Sequence, residues 1–328
     1  MRLSFFRSFM VALALSALTF STPAQAQDAT LFRAVKNHKW GFIDATGKVV
    51  IPMQYDEVGD FQQGLAPVCS HDEWGYVDAS GKMVIAQQFD GAGIFSEGLA
   101  PVKQSVAFGY VDTRGNLVIK PQYTAALPFS EHFGAVQSHG KWGFVDPTGR
   151  LAIPLQFDAA DSFHQGLARV QVGQKCGFID HTGTLVIKPD FDEVYSFSNG
   201  LAAVRKGHKY GYIDKAGNEV IKCNWDAALP FGEHEAPVVS KGKLYLIDDR
   251  GNLVTDTMFE RAGDTFSEGV APVEVGGKFG YINKNGKLQI DLRFDGAAGF
   301  HNGLSHVINN GKEGYIDQNG SWVWGPYN

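Results

Sequence analysis

An all-β repeat array is predicted for this chain. Three observations predict it: a turn glycine that returns every 34 residues, two aromatic ladders locked to that glycine, and short β-branched runs between them. The glycines are Gly47, Gly81, Gly115, Gly149, Gly183, Gly217, Gly251, Gly286 and Gly320, and a single interval, between Gly251 and Gly286, is 35. A length of 328 residues alone would suggest about two domains. Nine copies at one period point instead to one array of neighbouring units. The chain is 44% hydrophobic, too much for a disordered polymer, and its 3 cysteines are too few for a disulfide scaffold. A net charge of −6 argues against nucleic-acid binding, which needs a basic face to displace counterions.

Each unit parses into three short strands. Strand A is Trp40-Gly41-Phe42-Ile43-Asp44 in the first copy and Trp74-Gly75-Tyr76-Val77-Asp78 in the second. Strand B follows as Lys48-Val49-Val50-Ile51, and strand C as Gly64-Leu65-Ala66-Pro67-Val68. The A–B connection reads as a type I turn closed by a residue at positive φ. Asp44, Asp78, Asp112, Asp146, Asp180, Asp214, Asp248 and Asp317 stand three residues before their glycines, and Asn283 takes that place in the eighth copy. An Asp there accepts backbone hydrogen bonds from just ahead, and Gly takes positive φ without a Cβ clash. Calcium is a poor reading of the D-x-x-G motif. One carboxylate per unit falls far short of the six to eight oxygens that ion takes.

The two ladders supply the core. One follows strand B: Tyr55, Phe89, Tyr123, Phe157, Phe191, Trp225, Phe259 and Phe294. The other precedes strand C: Phe61, Phe95, Phe129, Phe163, Phe197, Phe231, Phe266 and Phe300. A fully buried ring contributes about 2–3 kcal/mol, and a 34-residue unit cannot bury its own rings. Neighbouring units therefore cover them. Runs such as Leu117-Val118-Ile119 suggest strands covered on both faces. The array opens on a lone C strand, Leu31 to Val35, and ends on an A–B hairpin, Glu313 to Trp324. The expected architecture is an open β superhelix, or solenoid, of nine three-stranded units. The alternative is a closed propeller-like ring in which the first C strand completes the last hairpin; nine blades exceed the usual four to eight.

Residues 1–26 read as a signal peptide. Arg2 and Arg7 form a basic start, Phe9 to Phe20 is apolar but for Ser16 and Thr19, and Ala24-Gln25-Ala26 fits a cleavage site. The apolar run is short for a bilayer span, and no second run of spanning length follows. The mature chain, 27–328, carries 27 basic against 35 acidic residues. It is expected to be periplasmic or secreted. There Cys69, Cys176 and Cys223 meet an oxidising compartment, and their odd number leaves at least one free or paired between chains.

The phrases Lys39-Trp40-Gly41-Phe42-Ile43-Asp44 and Lys141-Trp142-Gly143-Phe144-Val145-Asp146, with the D-x-x-G and F-x-x-G-L-A-P-V segments, resemble the bacterial WG-repeat (KWG) family from about residue 31 to 324. The resemblance implies a β-strand repeat and no particular activity or catalytic residue. The name-giving Trp survives in three copies only, so an exposed-Trp binding site would rest on Trp40, Trp74 and Trp142.

No catalytic motif is present, no enzyme activity is expected, and no cofactor is called for. Two units replace the F-x-x-G glycine by histidine, as Glu131-His132 and Glu233-His234, three repeats apart. These are either turn histidines at positive φ, copied by duplication, or paired sites for a metal or an anionic group. A further set, His38, His71, His139 and His208, lies in the C–A loops. Two function classes follow: a scaffold for protein partners, or a binder of envelope glycan such as peptidoglycan through exposed Trp side chains. Export with cleavage after Ala26 is expected, so intact-mass measurement of periplasmic protein should give the chain starting at Gln27. A full-length mass would refute it.

Overall fold

The computed structural model describes residues 30–232, 234–259, 261–262 and 265–327. The expected signal peptide and Glu233 lie outside the described residues. Among those described, 35 strands form nine sheets, eight of four strands and one of three. Blade 1 pairs a C strand (Phe32–Lys36), an A strand (Lys39–Ile43) and a B strand (Val49–Tyr55). Blade 2 adds a two-residue strand, Glu57–Val58, ahead of Leu65–Ser70, Glu73–Asp78 and Met83–Phe89. The pattern repeats through blade 9, which ends with Leu304–Asn309, Lys312–Asp317 and Trp322–Tyr327.

The B strand differs from its expected form. It runs on through the aromatic ladder residue, from Val49 to Tyr55, and one residue later becomes the short strand of the next sheet. Glu57 pairs there with Cys69, and Val58 with Val68. One segment thus belongs to two blades. Strand B also bulges against strand A, since Trp40 faces Tyr55 while Phe42 faces Ile51. Gly41 permits that bulge: a Cβ there would lie 2.4 Å from the Ile51 carbonyl oxygen. The Gly after the Trp is a close-approach residue.

The A–B turn has the expected geometry. Asp44 Oδ1 accepts from the Thr46 amide at 2.9 Å and the Lys48 amide at 3.1 Å, and Gly47 has φ 82°. Asn283 Oδ1 does the same in blade 8, accepting from the Asn285 and Lys287 amides. The C–A connections are two-residue hairpins, and Asn37, His38, His71, Asp72 and His139 lie at positive φ in them.

Successive blades meet through their aromatic residues. Phe42 of blade 1 packs edge-on against Phe61 of blade 2, with centroids 4.7 Å apart, and Tyr110–Phe129 and Tyr281–Phe300 repeat the contact. The ladder rings are buried, apart from half-buried Phe61 and Trp225. Polar stitches accompany them. Lys39 pairs with Asp56 at 2.5 Å, and the other oxygen of Asp56 accepts the His71 amide of blade 2. Lys141–Asp158–Gly173 and Lys175–Asp192–Gly207 repeat that bridge. These ion pairs are partly exposed, so their contribution lies in register more than in stability.

The open superhelix is overturned. Phe32 of blade 1 packs against Tyr315 of blade 9 at 5.5 Å, the counterpart of Phe42 against Phe61. The Gly47 turn rests on the Val323 backbone of blade 9, just as the Gly149 turn rests on Ile119 one blade earlier. Phe32, Ala34, Ile43 and Leu304 form one buried cluster with Tyr315, Val323 and Trp324 against it. The chain is a closed nine-bladed β-propeller ring. Twisted sheets packed face to face rotate each blade against the last, and here nine such rotations bring the end back to the start. The first C strand does not complete the last hairpin. It pairs with its own A strand, and blade 9 has its own C strand.

Two outcomes test this account. Gly149 has φ 85°, and a Cβ would meet Ile119 at 3.2 Å, so Gly149→Val should cost at least ~1–2 kcal/mol. His132→Ala, at an 84% exposed side chain, should leave the urea midpoint close to wild type; equal losses would contradict the turn assignment. The hydroxyl of Thr148, donating at 2.6 Å, and then the neighbouring Arg150 hold the Asp146 carboxyl down at about 2. A lowered folded-state value means stability present above the unfolded value and lost as pH falls. Asp146→Asn should therefore be less stable than wild type near neutrality, the gap closing between about pH 5 and pH 2. A gap independent of pH would rule this out.

Candidate functional site at the closure seam

The tryptophans expected to bind ligand occupy equivalent positions in blades 1, 2 and 4. Trp40 faces Val35 and Tyr55, Trp74 faces Cys69 and Phe89, and Trp142 faces Gln137 and Phe157. All three are half-buried and pack against core clusters. They are built into the blades, with part of each ring left at the surface.

Glu131 and His132 sit in a stitch between blades. His132 occupies the turn-glycine slot at φ 69°, and its amide donates to Glu97 of the preceding blade at 2.8 Å. Glu131 accepts from the Gly166 amide of the following blade at 3.0 Å and meets His181 Nε2 at 2.8 Å. Gln63 and Gln165 make the same bond to the Gly98 and Gly200 amides. The carboxylate is engaged in holding loops together. His234 is exposed, and its neighbour Glu233 lies outside the described residues. His38, His71, His139 and His208 are separate exposed turn residues. Among the described residues, no group of three or more His, Cys, Asp or Glu is arranged to hold a metal ion. Cys69, Cys176 and Cys223 are free thiols; burial pushes all three upward, Cys69 to about 11, which suppresses thiolate reactivity.

Two clefts lie at the seam where blade 9 meets blade 1. One, of about 460 Å³, is lined by Val35, His38 and Trp40 from blade 1 and by Gly311, Glu313 and Tyr327 from blade 9. A recess of about 10 Å³, room for roughly one water, shares Val35, Trp40 and Glu313 and adds Arg33, His306 and Trp324 among its walls. Of these residues only Trp40 was expected to bind ligand.

Local structure explains each placement. Glu313 stands at the position that is Trp40 in blade 1, paired with Ile308 and Tyr327. His306 Nε2 bonds its carboxylate at 3.1 Å and, as the main cause, holds it below the usual glutamate range. Arg33 pairs with Asp60 at 2.7 Å, and the Lys36 ammonium lies 4.7 Å from the Tyr327 ring centre. The Trp324 indole nitrogen is buried without an acceptor among the described residues. A sequence signal for this site existed. The nine name-giving positions hold Trp, Phe, Cys, Tyr or Leu except for Glu313, and Arg33 and His306 stand where other copies have Pro or Ala, apart from Arg169 in blade 5.

Comparison with known proteins gives the fold and the family. A crystal structure of the eukaryotic initiation factor superposes with a TM-score of 0.63 at 12% identity, over 90% of this chain and 95% of that one. The dihydro-heme d1 dehydrogenase NirN, in complex with DHE, gives 0.50 at 13% identity, over 87% of this chain and 77% of that one. At such identities the likeness is one of fold alone. No curated protein matches the sequence. Among the described residues, no helix is long and apolar enough to cross a membrane. The sequence profile of the WG containing repeat matches eight times, at 40–72, 74–105, 108–142, 142–176, 177–210, 210–245, 246–279 and 279–312, and the chain belongs to that family.

Proposed function

We propose that the ring is an exported, non-catalytic scaffold that binds protein partners along the rim formed by its B strands. One observation carries this reading. In blades 2, 3 and 5 the first two residues of the B strand leave apolar side chains in water: Met83 and Val84, Leu117 and Val118, Leu185 and Val186 are each 37–42% exposed. The expectation that these runs are covered on both faces does not hold, since only the third residue, as in Ile85, Ile119 and Ile187, is buried. The same apolar pair recurs at this place in several blades, unlike surface residues scattered singly.

The B strand is also the free edge of its sheet. Pro52, Pro121, Pro154 and Pro189 lie within it, Lys120 and Lys188 stand directly before two of them, and Lys222 lies at the matching place in blade 6. Those devices discourage addition of a foreign strand. A partner therefore docks by side-chain packing on the rim. Mature protein carrying Leu117→Asp and Leu185→Asp should keep its thermal midpoint and lose the partners that wild type cross-links in envelope extract. Capture by wild type should survive added peptidoglycan. Equal capture by both proteins, or complete displacement by peptidoglycan, would refute the rim.

A further inference from the structure

We propose that the closure-seam cleft binds a neutral sugar residue of a glycan, held against the aromatic walls Trp40 and Tyr327 with Glu313 accepting hydrogen bonds from its hydroxyls. The cleft volume of about 460 Å³ falls within the span of small-ligand sites. Its walls combine aromatic surface with a few polar groups, the composition that fixes a ligand with one apolar face and several hydroxyls.

Charge bookkeeping narrows the ligand class. Glu313 is engaged by His306, Arg33 by Asp60, and Lys36 lies against Tyr327. A cationic ligand would compete with Lys36 for the Tyr327 ring and with His306 for the carboxylate. An anionic ligand would meet the Glu313 carboxylate with only the exposed His38 imidazole opposite it, because Arg33 is paired with Asp60 and lies outside this cleft. A neutral polyol leaves the Glu313–His306 and Arg33–Asp60 pairs in place. Glu313 uses one oxygen on His306, and its second oxygen and remaining lone pairs suit a hydroxyl donor. The partially exposed Trp40 ring presents a surface for the C–H face of a pyranose. This site is separate from the rim. It needs the meeting of blades 1 and 9, so no single repeat can form it.

Calorimetric titration of the mature chain with chitotriose, cellotriose and maltotriose tests the proposal, with free lysine and inorganic phosphate as charged probes. At least one trisaccharide should bind with Kd of about 0.1–1 mM, and lysine and phosphate should not. Glu313→Gln, nearly isosteric, should weaken that binding about tenfold, and Tyr327→Ala by a similar factor. Trp142→Phe, at the same strand position in blade 4, should leave it unchanged, as should the rim substitutions. If Tyr327→Ala proves unstable, Glu313→Gln decides the matter alone. The proposal fails if none of the three sugars binds up to about 10 mM, if Glu313→Gln binds as wild type, or if a charged probe binds in their place.

Discussion

Each blade of this ring buries an aromatic ring that it cannot cover by itself. Phe61 needs Phe42, Phe129 needs Tyr110, and Phe300 needs Tyr281, each drawn from the preceding blade. At about 2–3 kcal/mol for a buried ring, this contact dominates what any one blade gains from its neighbours. The backbone arrangement follows from it. The short strand continues strand B into the next sheet, the bulge opposite Gly41 bends that strand, and the Lys39–Asp56–His71 bridge holds the register. The same dependence makes a free end costly. Closing the ring gives the Tyr315 face of blade 9 a partner in Phe32.

Units, turns and ladders were legible in the sequence because each rests on local chemistry. Asp44 with Gly47 specifies its turn without reference to any other blade, and the rings announce a core by their period. Closure was legible only as the alternative to an open superhelix. Whether nine units form a spiral or a ring depends on the rotation across an interface, which no single unit encodes. The one clue was Phe32. It stands at the position of Ala66 and Ala100, one residue into the C strand, and takes the role that Phe61 and Phe95 play from the preceding loop. The exposure of Leu117 and Val118 was hidden for a similar reason. An apolar run fits a strand buried on both faces, and it equally fits a sheet edge left partly in water.

For the site, periodicity itself misled. Glu131-His132 stood out as a motif repeated three units apart, yet what recurs between blades is the bond that Gln63, Glu131 and Gln165 accept from a glycine amide of the next blade. Repetition there reports a structural duty. The His fits because its backbone φ of 69° is one that His adopts more readily than most side chains. Lys39 and its counterparts have the same character, charged residues whose recurrence is explained by the Asp of the following junction.

Departures from the repeat carry the other kind of information. Packing alone gives the seam no reason to hold Arg33, His306 and Glu313. At the Arg33 and His306 position other blades use Pro67, Pro101, Ala135 and Ala203, with Arg169 of blade 5 the other charged case, and at the Glu313 position every other blade uses Trp, Phe, Cys, Tyr or Leu. Half-burying a carboxylate, a guanidinium and an imidazole costs desolvation that their pairings largely offset, leaving little net gain over a hydrophobic closure. The polar set therefore weakens the case for a purely structural seam. It sits in the one interface that occurs once, where residues are free to diverge without being repeated in eight other contacts. In a propeller of similar blades the closure seam is the interface free to differ from the rest, and Glu313 beside Trp40 and Tyr327 stands there.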